Sequence, residues 1–220
     1  MIPQIKEKKL QIVLVGNFNP HIFHPQWFIS QKLLGQKEGE SAKIEIIHPD
    51  IAIFSLDWLR LEVTRERLVA ISNYDQYNEV IKDLIIGTFS VLQHTPMKML
   101  GINHTYISEV SDEAIWKGIG DKLAPKDIWG KFMKKPGLRS LIVESNEFEN
   151  EIYKNIVRVT VDPAKGRLNL RLNINDHFEL INIDENSLGS NGIISILKDE
   201  WANSEKKALC IKDKLFAELP

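Results

Sequence analysis

Cysteine is almost absent from this chain of 220 residues: Cys210 is the only one, so no disulfide can form within it. Long apolar runs are also missing, because no stretch approaches the roughly 18 residues that a membrane span needs. The first residues, Met1 to Glu7, lack the apolar core of a secretory signal. These absences exclude a disulfide-stabilised scaffold and a membrane-spanning protein, and we expect a cytoplasmic protein.

An excess of charge of either sign is missing as well. Lys and Arg number 28 and Asp and Glu number 30, which leaves a formal net charge of −2. This balance gives no overall attraction to nucleic acid or to an anionic membrane, so binding of either would need a local basic patch. Hydrophobic residues make up 43% of the chain, close to the average of globular domains. The composition therefore predicts a folded protein with one core, or with two small halves that share one.

Two predicted hairpins about a hundred residues apart share a pattern of alternating Arg, Leu and Val. The first comprises residues 59–63 and 67–73, and the second comprises residues 157–161 and 167–173, after a turn that is longer by two residues. A near-repeat of this kind predicts an internal duplication. Around each hairpin the hydrophobic pattern indicates a strand and a helix before it and a helix after it.

The predicted fold class is therefore α+β. We expect two βαβββα-like halves, residues 1–95 and 96–220, that share a core in one compact unit. Their strands form antiparallel sheet, with the helices packed on one side. The alternative is that two ordinary hairpins converged on the same alternation of Arg and Leu.

The return strand of the second hairpin alternates leucines with Arg and Asn, which places the polar side chains on one face. Arg and Asn offer planar donors suited to phosphate, carboxylate or base edges, whereas an ordinary solvent-exposed face is richer in Lys, Glu and Thr. A plain solvent-exposed face remains the alternative. The predicted binding residues are Arg158, Arg167, Asn169, Arg171 and Asn173, with Arg60 and Arg67 as weaker counterparts in the first half.

The first hairpin differs from the second on this face. Val69 and Ile71 stand where the second hairpin has Asn169 and Arg171. Exposed apolar area of this sort commonly marks an interface. We therefore expect the apolar face to be covered by the other half or by a partner.

Residues 16–24, Gly-Asn-Phe-Asn-Pro-His-Ile-Phe-His, are similar to the nucleotidyltransferase signature, in which a strand leads into G-x-F-[DN]-P and then H-x-G-H. Two histidines at a helix N-terminus would stabilise a transferring phosphate. Here Phe23 replaces the glycine and His21 falls one residue early. An enzyme that uses residues 17–24 is therefore kept as an alternative.

Other candidate chemical groups lack partners in the sequence. No pair of histidines has the i, i+4 spacing with a nearby acid that a metal motif requires. Asp176 precedes His177, but no serine or cysteine nucleophile is placed by a recognisable loop. We predict no catalytic residue, no metal ligand and no cofactor.

Residues 56–110 resemble a sporadically distributed bacterial family of uncharacterised proteins. Its members show a polar strand pair, a helix that opens near a tyrosine, and a strand with a Gly-Leu-Arg-Tyr-x-Asn motif. Here Tyr74 and Tyr77 occupy the helix start, and residues 100–104 read Leu-Gly-Ile-Asn-His, without the Arg and Tyr. The resemblance implies a cytoplasmic bacterial or mobile-element accessory protein.

The predicted function is that of a non-catalytic binding or assembly protein of a bacterial or phage-related accessory system. Its partner would be another protein or further copies of the same chain, with no membrane involved. Nucleic-acid binding through the same Arg/Asn face is the first alternative, and the enzyme with the loop at residues 17–24 is the second.

Overall fold

The computed structural model describes residues 3–166, 168–181 and 189–220. Its strands form one antiparallel sheet, and its helices separate or follow runs of one to four strands along the chain. The strands are β1 (Gln4–Gly16), β2 (Lys43–His48), β3 (Ile51–Ser55), β4 (Arg60–Thr64), β5 (Arg67–Ser72), β6 (Met97–Glu109), β7 (Leu141–Glu149), β8 (Tyr153–Pro163) and β9 (Asn169–Leu180). The helices are α1 (Pro25–Ser30), α2 (Gln36–Glu40), α3 (Asn78–Val91), α4 (Glu113–Leu123) and α5 (Asn191–Glu218).

The order of strands in the sheet is β2-β3-β4-β5-β1-β6-β9-β8-β7. The long strands β1 and β6 pair at its centre, with Ile12 opposite Ile102. Outward from them, β5-β4-β3 on one side corresponds to β9-β8-β7 on the other, and both halves close with a long helix, α3 or α5. The α+β prediction is confirmed, and the first half has one further strand, β2, at the sheet edge.

The two halves resemble each other in the order of their helices and strands. The second half reads βαβββα, as predicted, while the first has two short helices and four strands between β1 and α3. Order alone does not measure common descent, so the division into residues 1–95 and 96–220 stays a prediction.

Alternating side chains along the strands build the core on one face of the sheet. In β1, Leu10, Ile12 and Leu14 are buried, while the side chains between them remain half-buried on the other face. This period of two follows from the pleat of a β-strand. The buried residues of α3 and α5 pack in the same cluster as those of β1 and β6.

In the first half, phenylalanines pack α1 and the segment that precedes it against the same face of the sheet. The rings of Phe18, Phe23, Phe28 and Phe89 contact one another or Phe54 of β3 with centroid separations of 5.7 to 6.4 Å. In the second half, Ile119 of α4 packs in a second cluster that includes strand residues of β8 and β9. All helices of the described residues therefore lie on one side of the sheet.

The C-terminal helix crosses both halves. Sequence periodicity indicates a broken helical stripe between Ile193 and Leu219, whereas α5 is one continuous helix of 28 residues. The indole Nε1 of Trp201 donates a hydrogen bond of 2.6 Å to Glu79 Oε1 and so joins α5 to α3. Within the described ranges, no helix has the length and apolar character that crossing a membrane would demand.

Candidate functional site

The sheet surface opposite the helices, called here the open face, carries an ordered row of polar side chains at its centre. Asn175 Nδ2 donates to Asn103 Oδ1 at 2.9 Å, and Thr105 Oγ1 donates to Asn173 Oδ1 at 2.8 Å. Each bond joins directly opposed residues of β6 and β9. These four residues, Asn103, Thr105, Asn173 and Asn175, form the Asn/Thr ladder.

Gly101 belongs to the same structure because it leaves room for the ladder. A Cβ atom at this position would lie 3.0 Å from Asn175 Nδ2 and 3.4 Å from Asn103 Nδ2. The residue opposite Gly101 is His177, which is half-buried on the open face. Burial lowers the pKa of His177, and the Arg158 guanidinium lowers it further, so the imidazole is neutral near pH 7.

The arginines of the predicted binding surface are engaged in cross-strand ion pairs. Arg158 Nε donates to Glu144 Oε2 at 2.8 Å. Arg171 contacts Asp162 in a bidentate pair of 2.8 and 2.6 Å, and this pairing raises the pKa of Arg171. Both carboxylates come from the neighbouring strand, so the positive charge of this surface is balanced within the sheet.

Another predicted binding residue, Asn169, lies at the start of β9, beside the hairpin turn. Asn169 Nδ2 donates to the carbonyl oxygen of Lys165 at 2.9 Å and thus supports the turn. Gly166 in this turn has a φ of 108°, a backbone conformation that favours glycine. Arg167 lies outside the described residues.

The first-half arginines do not join the second-half residues in one site. Arg60 Nε donates to Glu62 Oε1 at 2.7 Å, and Arg60 also pairs with Glu45; these bonds raise the pKa of Arg60. Arg67 is exposed at the start of β5. Because β4 and β8 are five strands apart, Arg60 and Arg158 are separated by roughly 24 Å across the sheet.

Val69 and Ile71 form an apolar strip on the first-half part of the open face, with Glu62 and Arg60 of β4 directly opposite them. Val69 lies opposite Val13 of β1 and is 6% exposed, and Ile71 is half-buried. Among the described residues no helix covers this strip. The neighbouring side chains of the sheet itself supply its partial burial.

A second polar group lies beneath α5 on the covered face. Lys207 Nζ of α5 contacts Asp176 Oδ1 at 3.1 Å and Asn155 Oδ1 at 3.0 Å, and both acceptors are almost fully buried. His104 of β6 is also buried here, and burial lowers its pKa to about 4, against the opposing effect of the Asp176 charge. The residues His104, Asn155, Asp176 and Lys207 form the buried polar cluster.

Clefts open on both sides of α5, next to the buried polar cluster. One of about 340 Å³ lies between α3, α5 and the central strands and is lined by Asp75, His104 and Glu205. Burial raises the pKa of Glu205. The other, of about 540 Å³, is lined by Tyr153, Phe178 and Lys206, among others. Nε2 of His104 and Oδ2 of Asp176 are buried and have no hydrogen-bond partner among the described residues.

The histidines of residues 17–24 take part in local helix structure. His24 is the N-cap of α1, and its Nδ1 accepts a hydrogen bond of 3.1 Å from Gln26 N. Asn19 Oδ1 accepts from His21 N at the start of a short 3₁₀ turn. Across the described part of the chain, no group of three His, Cys, Asp or Glu side chains is arranged to hold a metal ion.

Asn103, Thr105 and Asn175 complete the ladder with the predicted Asn173, but the sequence pattern did not identify them as site residues. The signal was present as alternation in β6, where Gly101, Asn103 and Thr105 occupy successive open-face positions. Their importance depends on pairing with β9, which is 68 to 72 residues away along the chain.

No protein-family model matches the chain, and comparison with curated proteins finds no significant relative. The resemblance of residues 56–110 to a bacterial family therefore stays a prediction.

Proposed function

We propose that this chain is a non-catalytic, cytoplasmic binding or assembly protein of a bacterial or phage-related accessory system. Its binding surface is the open face, and its ligand there is a protein. The observation that best supports this proposal is the Asn/Thr ladder: four hydrogen-bonded polar side chains at the centre of a sheet face that no described helix covers.

The chemistry of the ladder suits a peptide ligand. Within the ladder, the side-chain amide nitrogens of Asn103 and Asn173 do not donate, and the amide oxygen of Asn175 does not accept. The ladder thus offers both donors and acceptors, which a peptide group, with one N–H and one C=O, can match. The internal bonds hold the amides in place before binding, so less side-chain freedom is lost on association.

Charge balance favours a protein over nucleic acid. Binding to DNA or RNA gains most of its affinity when Lys and Arg neutralise phosphates and release counterions. On this surface Arg158, Arg171 and Lys154 are already paired with Glu144, Asp162 and Glu179. A phosphate backbone would have to displace these carboxylates.

The apolar strip beside the ladder supplies the second component of a protein interface. Val13, Val69 and Ile71 continue the open face across β1 and β5. Interfaces between proteins commonly combine an apolar core with polar groups that fix orientation. The strip and the ladder together give both components on one continuous surface.

Affinity purification from the native host, with quantitative mass spectrometry, tests this proposal. The variant N173K/N175K introduces two charged side chains into the ladder. N203K is the matched control, because Asn203 is exposed on α5, on the opposite side of the sheet. We expect wild type and N203K to retain the same partner protein in equal amounts. N173K/N175K should retain at least about tenfold less of that partner, since two hydrogen-bonding groups are removed.

Folding of each variant is checked by circular dichroism and urea unfolding, and N173A/N175A is a milder second variant. Equal retention by N173K/N175K and wild type would contradict the proposal. Binding of mixed-sequence DNA or RNA, measured by fluorescence anisotropy and falling steeply with salt, would replace it with the nucleic-acid alternative.

A further inference from the structure

Two stretches outside the open face expose large apolar side chains to solvent. The first, called the basic loop, comprises residues 126–139 between α4 and β7. Ile128, Trp129, Phe132 and Met133 are each 46 to 66% exposed in it. The second, called the acidic tip, comprises residues 147–152 at the end of β7, where Phe148 and Ile152 are 50% and 61% exposed. Exposed apolar residues clustered in this way mark interaction surfaces.

The two stretches carry opposite charge. The basic loop has Lys126, Lys131, Lys134, Lys135 and Arg139 against a single acid, Asp127. The acidic tip has Glu147, Glu149 and Glu151 and no basic residue. In the described part of the chain, Lys131, Lys134 and Lys135 form no ion pair, and neither do Glu147 and Glu151. Each stretch thus has unpaired charge of one sign beside apolar surface.

The fold keeps these stretches apart within one molecule. The loop leads into the start of β7, and the tip lies at its end, beside the turn to β8. Nine residues of strand separate the two ends by roughly 30 Å. The basic loop of one molecule therefore cannot contact its own acidic tip across that strand.

Local structure gives both surfaces a defined shape. A 3₁₀ turn at Trp129–Lys131 sets the rings of Trp129 and Phe132 edge to face at 5.8 Å. Beside them is a cavity of about 260 Å³ whose lining includes Met133, Leu138 and Arg139. At the tip, Asn150 Oδ1 accepts hydrogen bonds of 2.8 Å from the main-chain nitrogens of Ile152 and Tyr153.

We infer that the basic loop of one copy binds the acidic tip of a second copy, head to tail. Apolar side chains of the tip, led by Phe148, contact the Trp129 and Phe132 surface, while the glutamates pair with the lysines. The contact is heterologous, so its repetition generates a ring or an open chain of molecules. It involves no residue of the open face and does not rest on the proposed peptide binding.

Charge reversal in two variants tests the inference by sedimentation velocity over two decades of protein concentration. K131E/K134E/K135E reverses the unpaired charge in the loop and changes its net charge from +4 to −2, and E147K/E151K changes the net charge of the tip from −3 to +1. K198E/K206E/K214E, which reverses three exposed lysines of α5, is the matched control. We expect wild type and the control to gain mass with concentration, and each of the other two variants to require at least about tenfold more protein to do so.

Mixing the two variants provides the decisive measurement. The loop of K131E/K134E/K135E, now acidic, then meets the tip of E147K/E151K, now basic, so the equimolar mixture should associate at a concentration at which neither variant does alone. Added salt should weaken the association of the wild type, because exposed charges are screened.

Several results would overturn the inference. These are a wild type that stays monomeric throughout, variants that associate like the wild type, and a mixture that does not associate. A gain in mass that is accompanied by the absorbance of nucleic acid would also overturn the inference, because the association would then depend on bound nucleic acid. Loss of association in W129A/F132A, with circular dichroism unchanged, would support the apolar part of the contact.

Discussion

The two halves of the sheet differ on both faces. In the first half, Leu68 and Ala70 face the core while Val69 and Ile71 face outward, so β5 is largely apolar on either side. In β9 of the second half, Asp176 is buried beneath α5, and Asn173 and Asn175 face outward. One topology therefore accommodates two kinds of side-chain chemistry: the first half has an almost uniformly apolar core, and the second half holds the ordered polar groups.

Buried polar groups are costly unless they are paired, and they are then sensitive to change. In the second half the buried polar cluster ties α5 to β8 and β9 through Lys207, Asp176 and Asn155. The first half places no comparable charged pair in its described core. Substitutions of polar and apolar residues in the two halves should therefore have unequal effects on stability.

The largest effect is expected for D176A. Asp176 is 2% exposed, and its removal leaves the Lys207 ammonium without its anionic partner at the α5 interface. We expect the free energy of unfolding in urea to fall by about 3 to 4 kcal/mol. D176N, which keeps the shape and one acceptor oxygen, should lose less. A loss below about 1 kcal/mol in D176A would show that the cluster does not hold α5 in place.

A pH effect of similar origin is expected from His104. Burial lowers the pKa of His104 from 6.5 to about 4, so the unfolded chain binds a proton at this site more readily than the folded one. Stability from this group is thus complete above pH 6.5 and is lost as the pH falls towards 4. We expect a loss of about 2 to 3 kcal/mol over that interval.

Urea unfolding of wild type and H104L at a series of pH values measures the contribution of His104. The H104L curve should be flatter between pH 6.5 and about 4. Identical slopes for the two proteins would assign the acid sensitivity to other groups.

A smaller effect is expected when the open-face chemistries are exchanged. V69N places an amide at a position that is 6% exposed, between Val13 and Glu62 of the neighbouring strands, and should lower stability by about 1 to 3 kcal/mol. T105V in the ladder removes the donor to Asn173 and should cost about 1 kcal/mol. If V69N unfolds at the same urea concentration as wild type, then apolar packing does not exclude a polar side chain from this position.

The smallest effects are expected for the exposed ion pairs. R158A and R171A remove guanidinium groups paired with Glu144 and Asp162, and each should change stability by less than about 1 kcal/mol. The difference from wild type should shrink further in high salt. A larger, salt-independent loss would mean that the aliphatic part of the arginine packs on the sheet.

Much of the local structure could be predicted from residue patterns. Alternating apolar residues indicated the hairpin strands β4, β5, β8 and β9, and a helical period indicated α3. The same alternation assigned Val69 and Ile71, and likewise Arg171 and Asn173, to the open face. Side-chain direction in a strand depends only on position along it, so no knowledge of neighbouring strands was needed.

The composition of the candidate site was less predictable. Arg158 and Arg171 looked like free donors because their partners, Glu144 and Asp162, lie on other strands. Arg60 and Arg67 seemed to complement them, yet Arg60 and Arg158 are five strands apart in the sheet. The ladder partners Asn103 and Thr105 were not identified at all.

Local sequence patterns predict the class of fold, the faces of the strands and the polar character of the second hairpin, because these follow from periodicity along the chain. Only the assembled sheet shows that β1 and β6 meet at the centre, that Arg158 and Arg171 are neutralised, and that Asn173 and Asn175 join a ladder. Those outcomes depend on strand order and register. They arise from contacts between residues far apart in the chain, which no local pattern encodes.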